Sequence, residues 1–324
     1  MRRRTVLSVV LTLIPARVAG QGQPTARVYR IGWLGSAPLD ARTREAFVDG
    51  LREHGWIEGK NVTVEALYSD GRNDRFPALA LELVKRSVDV IVASGTPPAE
   101  AARDATTSIP IVFVYVGDPV GAGLVDSPAR PGRNLTGLGG FAAGFYTKQL
   151  ALLKEVLPKA TRIGLFINDT LSLHIALRGE LEAAARKLGV ILVPVQVNVP
   201  EDIDIAFATI AKQRVDALFI AAQPMISAQR ARVVKLALDQ RMPVVSAFDQ
   251  LTEAGLLLSY ASRFVDDVRR APYFIDRIFR GAKPADLPVE QPTRVYLSVN
   301  LKTAKAIGVP IPASVLARAD QVFE

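Results

Sequence analysis

The stretch "VIVASGTPPAEAA", residues 90–102, decides how this chain is read. Val88 to Ala93 is a short apolar run rich in β-branched residues, and it predicts a buried strand. Ser94-Gly95 is a turn signal. Thr96 followed by Pro97-Pro98 predicts a helix start with Thr96 as N-cap, because proline is tolerated in the first turn, where N–H groups lack intrahelical partners. A buried strand leading directly into a helix is half of a parallel βαβ unit.

The same alternation runs in both directions along the chain. Strands are predicted at Val28–Leu34, Val62–Leu67 and Ile111–Val116, and helices at Ala41–His54, capped by Asp40, and Arg75–Arg86. The rhythm breaks in the Gly- and Pro-rich stretch 117–144 and restarts with a helix at Phe145–Leu157. Strands at Arg162–Ile167, Val190–Val197, Ala217–Ala221 and Val244–Ala247 then alternate with helices at Ser172–Leu188, Asp202–Gln213 and Ile226–Gln240. A strand at Leu256–Tyr260, a helix at Arg263–Arg280 interrupted by Pro272, a strand near Val295–Val299 and a helix at Leu301–Ile307 close the chain. Two doubly wound α/β halves imply two lobes. The expected division places 27–143 and about 254–282 in the first lobe, and 144–250 and about 286–324 in the second.

Composition narrows the function. Residues 1–20 combine Arg2-Arg3-Arg4, an apolar run and Val18-Ala19-Gly20, the build of an export signal cleaved near Gly20. Twin-arginine and general export both fit this segment. Removing its four arginines lowers the formal charge from +8 to +4, and no long basic run remains, so nucleic-acid binding is not expected. The chain has no cysteine, which rules out disulfides, thiolate metal sites and a lipidated N-terminal cysteine. No second apolar span follows, so the mature chain is not expected to insert into a membrane, and the periplasm is its expected compartment.

Catalytic signatures are absent: there is no Gly-x-Ser-x-Gly elbow and no phosphate-binding Gly-x-x-x-x-Gly-Lys loop. Gly137 to Ala142 loosely fits a dinucleotide pattern, but a hinge or crossover loop explains it better. His54 and His174 show no metal-ligand spacing. No cofactor, metal or catalytic activity is therefore expected. In open α/β sheets ligands bind beyond the carboxyl ends of the strands. The candidate loops are Gly35–Ser36, Ser94–Thr96, Gly117–Pro119, Asn168–Asp169, Gln223–Pro224 and Phe248–Asp249. At Thr96, the two prolines remove amides a phosphate would use, which suits a carboxylate or hydroxyl better.

Several stretches carry a resemblance: Gly95-Thr96-Pro97, "IPIVFVYVGDPVGAGLV" (109–125), "PGRNLTG" (131–137), "ADLPVEQP" (285–292), "NLKTAKAIGVPIP" (300–312) and "LARAD" (316–320). Together they resemble the ABC-transporter substrate-binding family that includes tryptophan- and tyrosine-binding periplasmic proteins. The resemblance implies a type I periplasmic-binding-protein fold, with two α/β lobes, three crossovers and a small molecule closed in the cleft. It also implies delivery to a membrane permease driven by a separate ATPase. By position, Ser36, Thr96, Asp118, Gln223 and Asp249 match cleft-lining strand ends of that family. Ser94, Gly95, Pro119 and Asn168 complete the expected polar lining. Phe141, Phe248 and Tyr260 would wall an aromatic or apolar part of an amino acid or organic acid. The chain departs from the family at Leu138-Gly139-Gly140-Phe141, where a polar residue is frequent, at Tyr260-Ala261, where Tyr-Gly is frequent, and at Pro272. An exported two-lobed enzyme and a ligand-presenting sensor subunit are the alternatives.

Overall fold

The computed structural model describes residues 27–141 and 144–324; the expected export segment lies outside them. The first half runs β1 (Tyr29–Gly35), α1 (Ala41–Glu53), β2 (Val62–Tyr68), α2 (Phe76–Lys85), β3 (Val90–Ser94), α3 (Thr96–Ala105), β4 (Ile111–Val116) and β5 (Leu135–Gly139). Its five strands form a parallel sheet in the order β2-β1-β3-β4-β5. Alternation along the strands builds two cores. Val90 and Val92 of β3 join Ile31, Trp33, Val112 and Val114 on one face, while Ile91 and Ala93 join Leu34, Ile111 and Phe113 on the other. A period of two sorts consecutive side chains to opposite faces, and helices cover both.

The second half runs α4 (Phe145–Val156), β6 (Arg162–Ile167), α5 (Ser172–Leu188), β7 (Ile191–Gln196), α6 (Asp202–Lys212), β8 (Ala217–Ile220), α7 (Pro224–Ala228), α8 (Arg230–Asp239), β9 (Val244–Ser246) and α9 (Asp249–Glu253). Then come β10 (Leu258–Ala261), α10 (Phe264–Phe279), β11 (Tyr296–Asn300), α11 (Leu301–Ile307), α12 (Ala313–Leu316) and β12 (Gln321–Phe323). The second sheet has the order β12-β11-β10-β9-β8-β6-β7, with β11 antiparallel to β10.

Several expectations are corrected. Residues 135–139 of the glycine-rich stretch form edge strand β5: Gly137, at φ +146, lies so close to β4 that a Cβ would meet Phe113 O at 2.0 Å. The Gly137–Ala142 run therefore begins as strand, not as a dinucleotide turn. The helix expected over 226–240 is two helices, because Gln229 (φ −99, ψ 19) leaves the helical conformation between α7 and α8. The stretch 254–282 is divided between the sheets. Its strand β10 pairs with β9 and β11 in the second, while α10 packs on α1 beside the first.

Pro272 does not interrupt α10, which runs continuously through it. A mid-helix proline forfeits a hydrogen bond and costs about 3 kcal/mol in an exposed helix. Here its ring occupies the space that Gly50 of α1 leaves open: a Cβ on Gly50 would meet Arg269 O at 2.5 Å and Pro272 Cγ at 3.0 Å. Close helix packing offsets the missing bond.

The chain passes between the lobes after β5, after β10 and after α10. The crossings lie side by side. Gly139 N–H donates to Glu290 O at 3.0 Å, and the Arg263 guanidinium lies 4.2 Å from the Tyr296 ring centre. Among the described residues no helix is long and apolar enough to cross a membrane.

Candidate ligand-binding site

A cleft between the lobes encloses about 820 Å³ of space, part of it continuous with solvent. It is built from the ends of β1, β3 and β4 on one side, and from the loops after β6, β8 and β9 on the other. Phe264, the first residue of α10, closes one end.

The turn after β3 forms the first-lobe wall. Gly95, not Thr96, is the N-cap of α3, with φ +103 and ψ 172. That conformation is nearly glycine-only. Gly95 N–H still donates to Val114 O, and its carbonyl accepts from Ala99 N–H at 3.2 Å. The turn therefore closes without the Thr96 hydroxyl, which lines the cleft beside Ser94. Pro97 and Pro98 remove two further amides, so hydroxyls are the polar groups this turn presents.

Tyr115 forms the floor. β4 carries an irregularity between Phe113 and Val116, and Tyr115 sits at φ +58, a left-handed conformation that costs a non-glycine residue about 1 kcal/mol or more. The bulge turns the ring out of the first sheet, and its hydroxyl donates to Ala247 O in the second lobe. Phe248 stacks on Tyr115 at 5.4 Å and 18°, and Phe264 meets it edge-on at 5.7 Å.

The lobes are closed on one another. Ser36 Oγ–H donates to Pro224 O at 3.0 Å. A Cβ on Gly95 would meet Pro224 Cγ at 2.7 Å, and one on Gly117 would meet Leu173 Cδ2 at 2.8 Å. Ser172 Oγ–H donates to Glu100 Oε1 at 3.3 Å across the interface, and burial raises the Glu100 pKa. Arg42 pairs with Glu253 at 3.8 Å, and Arg72 pairs with Glu201.

Of the residues expected at the ligand site, Ser36, Ser94, Gly95, Thr96 and Phe248 line this cleft. Asp118 is exposed and accepts from Gly121 N–H at 2.8 Å, capping its own turn. Pro119 is buried there, its carbonyl accepting from Leu124 N–H. Asn168 is fully buried, and its Oδ1 accepts from Thr170 N–H at 2.9 Å. Gln223 donates to Val197 O at 3.1 Å inside the second lobe. Phe141 stacks on Phe145 at 4.3 Å, and Tyr260 leans on Phe145 at 5.9 Å, so both serve the aromatic core behind the cleft.

Asp249 lies outside the main cleft, in an adjoining charged cavity with Arg42 and Glu253. Burial pushes its pKa up to about 6, and Oδ1 has no hydrogen-bond partner. Burial likewise pushes Asp267 of α10 up to about 7.

His174 has a structural role. Its Nδ1 accepts from Asn168 N–H at 3.0 Å, which assigns the ring hydrogen to Nε2, donating to Ala222 O at 3.0 Å. Burial lowers its pKa, so the neutral ring ties two cleft-forming loops together.

Sequence reasoning missed Tyr115, Leu39, Leu173, Gln250 and Arg230. The signal for Tyr115 was its hydroxyl inside the apolar run "IVFVYV". Arg230 lines the cleft because the break at Gln229 gives α8 a separate N-terminus there.

The family described as ABC transporter substrate binding protein matches residues 36–323. A tyrosine-binding protein of Clostridioides difficile (strain R20291) is 25% identical over 279 residues, covering 86% of this chain and 79% of that protein. The crystal structure of an ABC domain from Streptococcus pneumoniae in complex with L-Trp superposes with a TM-score of 0.82 at 26% identity, covering 91% of this chain and 100% of that one. The ligand-free, open structure of a substrate-binding protein with adhesive properties from Clostridium difficile gives 0.62 at 26% identity, covering 91% and 99%. The fold is of the type I periplasmic-binding-protein class.

Proposed function

The chain belongs to the ABC transporter substrate-binding protein family, and on that premise we propose that it captures an amino acid with an aromatic or comparably apolar side chain between its lobes. The carrying observation is the cleft. It is bounded by both lobes, and its lining combines the hydroxyl-bearing Ser94 and Thr96 with apolar walls at Tyr115, Leu173 and Phe248. A ligand that touches both walls binds the closed form better than the open one, and this difference is what shifts the population. The closed form is then the one offered to a membrane permease with its separate ATPase. The chain works after export to the periplasm, with residues 1–20 as its cleaved signal.

The L-Trp-bound and tyrosine-binding relatives support the choice of ligand class. The test is calorimetry and thermal shift of the mature protein with L-Trp, L-Tyr, L-Phe and L-Leu, with small-angle scattering before and after addition. Saturable binding with a compacted scattering profile is expected. Absence of binding to every amino acid tried overturns the reading.

A further inference from the structure

Among the described residues that line the main cleft, two carry formal charge: Asp40 and Arg230. They have opposite signs and come from opposite lobes, Asp40 at the start of α1 and Arg230 at the start of α8. Both also line the adjoining charged cavity, so they stand where the neutral interior meets the charged mouth. They are not paired with each other. Among the described residues Arg230 has no ion-pair partner, whereas its neighbour Arg232 pairs with Asp204. No acid occupies the first turn of α8, so the positive helix end adds to the Arg230 charge instead of being neutralised. Asp40 is held in place: Oδ1 accepts from Thr43 N–H at 2.9 Å and Oδ2 from Thr43 Oγ1–H at 2.9 Å. Each carboxylate oxygen keeps lone-pair capacity for another donor.

We propose that Asp40 and Arg230 form a clamp for the zwitterionic head of an α-amino acid, the ammonium on Asp40 and the carboxylate on Arg230, with the side chain inward between Leu173, Tyr115 and Phe248. The clamp rests on the ligand class given above and assigns the residues that read it. One fixed charge per lobe makes the ligand a bridge. Neither lobe alone offers both partners, so the head group favours closure. The arrangement also discriminates. A ligand lacking the ammonium leaves Asp40 without its cation, and a ligand lacking the carboxylate leaves Arg230 unpaired. The inner hydroxyls of Ser94 and Thr96 are then left to side-chain polar groups.

The experiment uses the mature protein with Asp40→Asn and Arg230→Gln. Asparagine is an equally good N-cap, so α1 is kept while the charge is lost. Calorimetry is run with the tightest-binding amino acid of the panel, its des-amino analogue (a 3-substituted propionate) and its decarboxylated analogue (a primary amine). Asp40→Asn should weaken the amino acid and the amine by about 10-fold and leave the propionate unchanged. Arg230→Gln should weaken the amino acid and the propionate by about 10-fold and leave the amine unchanged. If the wild type binds the amino acid and both variants bind it equally well, the clamp is wrong while the ligand class stands. If the wild type binds no amino acid, the underlying function fails and the clamp with it.

Discussion

Tyr115 in the first lobe donates its hydroxyl hydrogen to the backbone carbonyl of Ala247 in the second. The donor comes from a bulged strand and the acceptor from the loop after β9, so the bond ties one lobe to the other. Ser36 on Pro224 is a second hydrogen bond across the cleft.

Replacing Tyr115 by Phe keeps the ring and removes this bond. A net hydrogen bond contributes about 0.5–1.5 kcal/mol, so ligand affinity should fall about 2- to 10-fold. Scattering of the ligand-free protein should shift toward a more open form. Unchanged affinity would mean that the bond carries no net weight in closure.

Thr96→Val removes a hydroxyl that capping does not use, at nearly constant volume. Affinity for L-Tyr, whose side chain carries a hydroxyl, should drop about 2- to 10-fold, and affinity for L-Phe should hardly change. The melting temperature of the ligand-free protein should hardly move, because Gly95 rather than Thr96 closes the helix start. A stability loss without an affinity loss would return Thr96 to a capping role.

Gly95→Ala combines two effects that can be separated. The φ of +103 strains any Cβ-bearing residue by about 1–3 kcal/mol, which urea unfolding of the ligand-free protein will read. The added Cβ also meets the rigid Pro224 ring of the opposite lobe at 2.7 Å, a clash that opening of the cleft would relieve. Affinity should therefore fall further than stability does. Gly117→Ala is the milder companion, since its neighbour at 2.8 Å is the flexible end of Leu173.

Asp267 makes stability depend on pH. Its folded-state pKa is raised to about 7, from an ordinary value of 3.8, because burial disfavours the anion. The folded state therefore holds the proton more tightly than the unfolded chain. That contribution is fully present near pH 4 and is lost as pH rises through about 7. Asp267→Asn should flatten the dependence of unfolding free energy between pH 5 and 8 and raise stability at pH 8 by roughly 2–4 kcal/mol. Asp249, raised to about 6, acts in the same direction, so the double variant is flatter still. His174 acts oppositely: its lowered pKa supplies stability above pH 6.5 that is lost on acidification. A slope unchanged in Asp267→Asn would place the titration elsewhere.

Much of the architecture was legible because it rests on periodicity. The strand ending at Ser94, the Asp40 cap and the alternation of apolar runs depend on local sequence alone. β5 was not legible because its glycines serve close backbone approach to β4, a long-range requirement that leaves no apolar pattern. At the site, the loops could be named from strand ends, but side-chain directions could not. The bulge in β4 places Tyr115 and Gly117 at the cleft and leaves Asp118 in solvent. After β9, Gln250 lines the cleft while Asp249 faces the charged cavity alongside. Such one-residue offsets come from tertiary geometry, as does the break at Gln229 that exposes Arg230 to the cleft.

The three adjacent crossings have a mechanical consequence. A body tethered by one strand can swivel and twist. With three tethers lying side by side, and pinned by Gly139 on Glu290 and Arg263 over Tyr296, it keeps essentially one rotational degree of freedom. Occupancy is thereby converted into a single coordinate, the angle between lobes. Under the proposed function, the permease would need to measure only the distance between two points on the outer surface to know whether the cleft is filled.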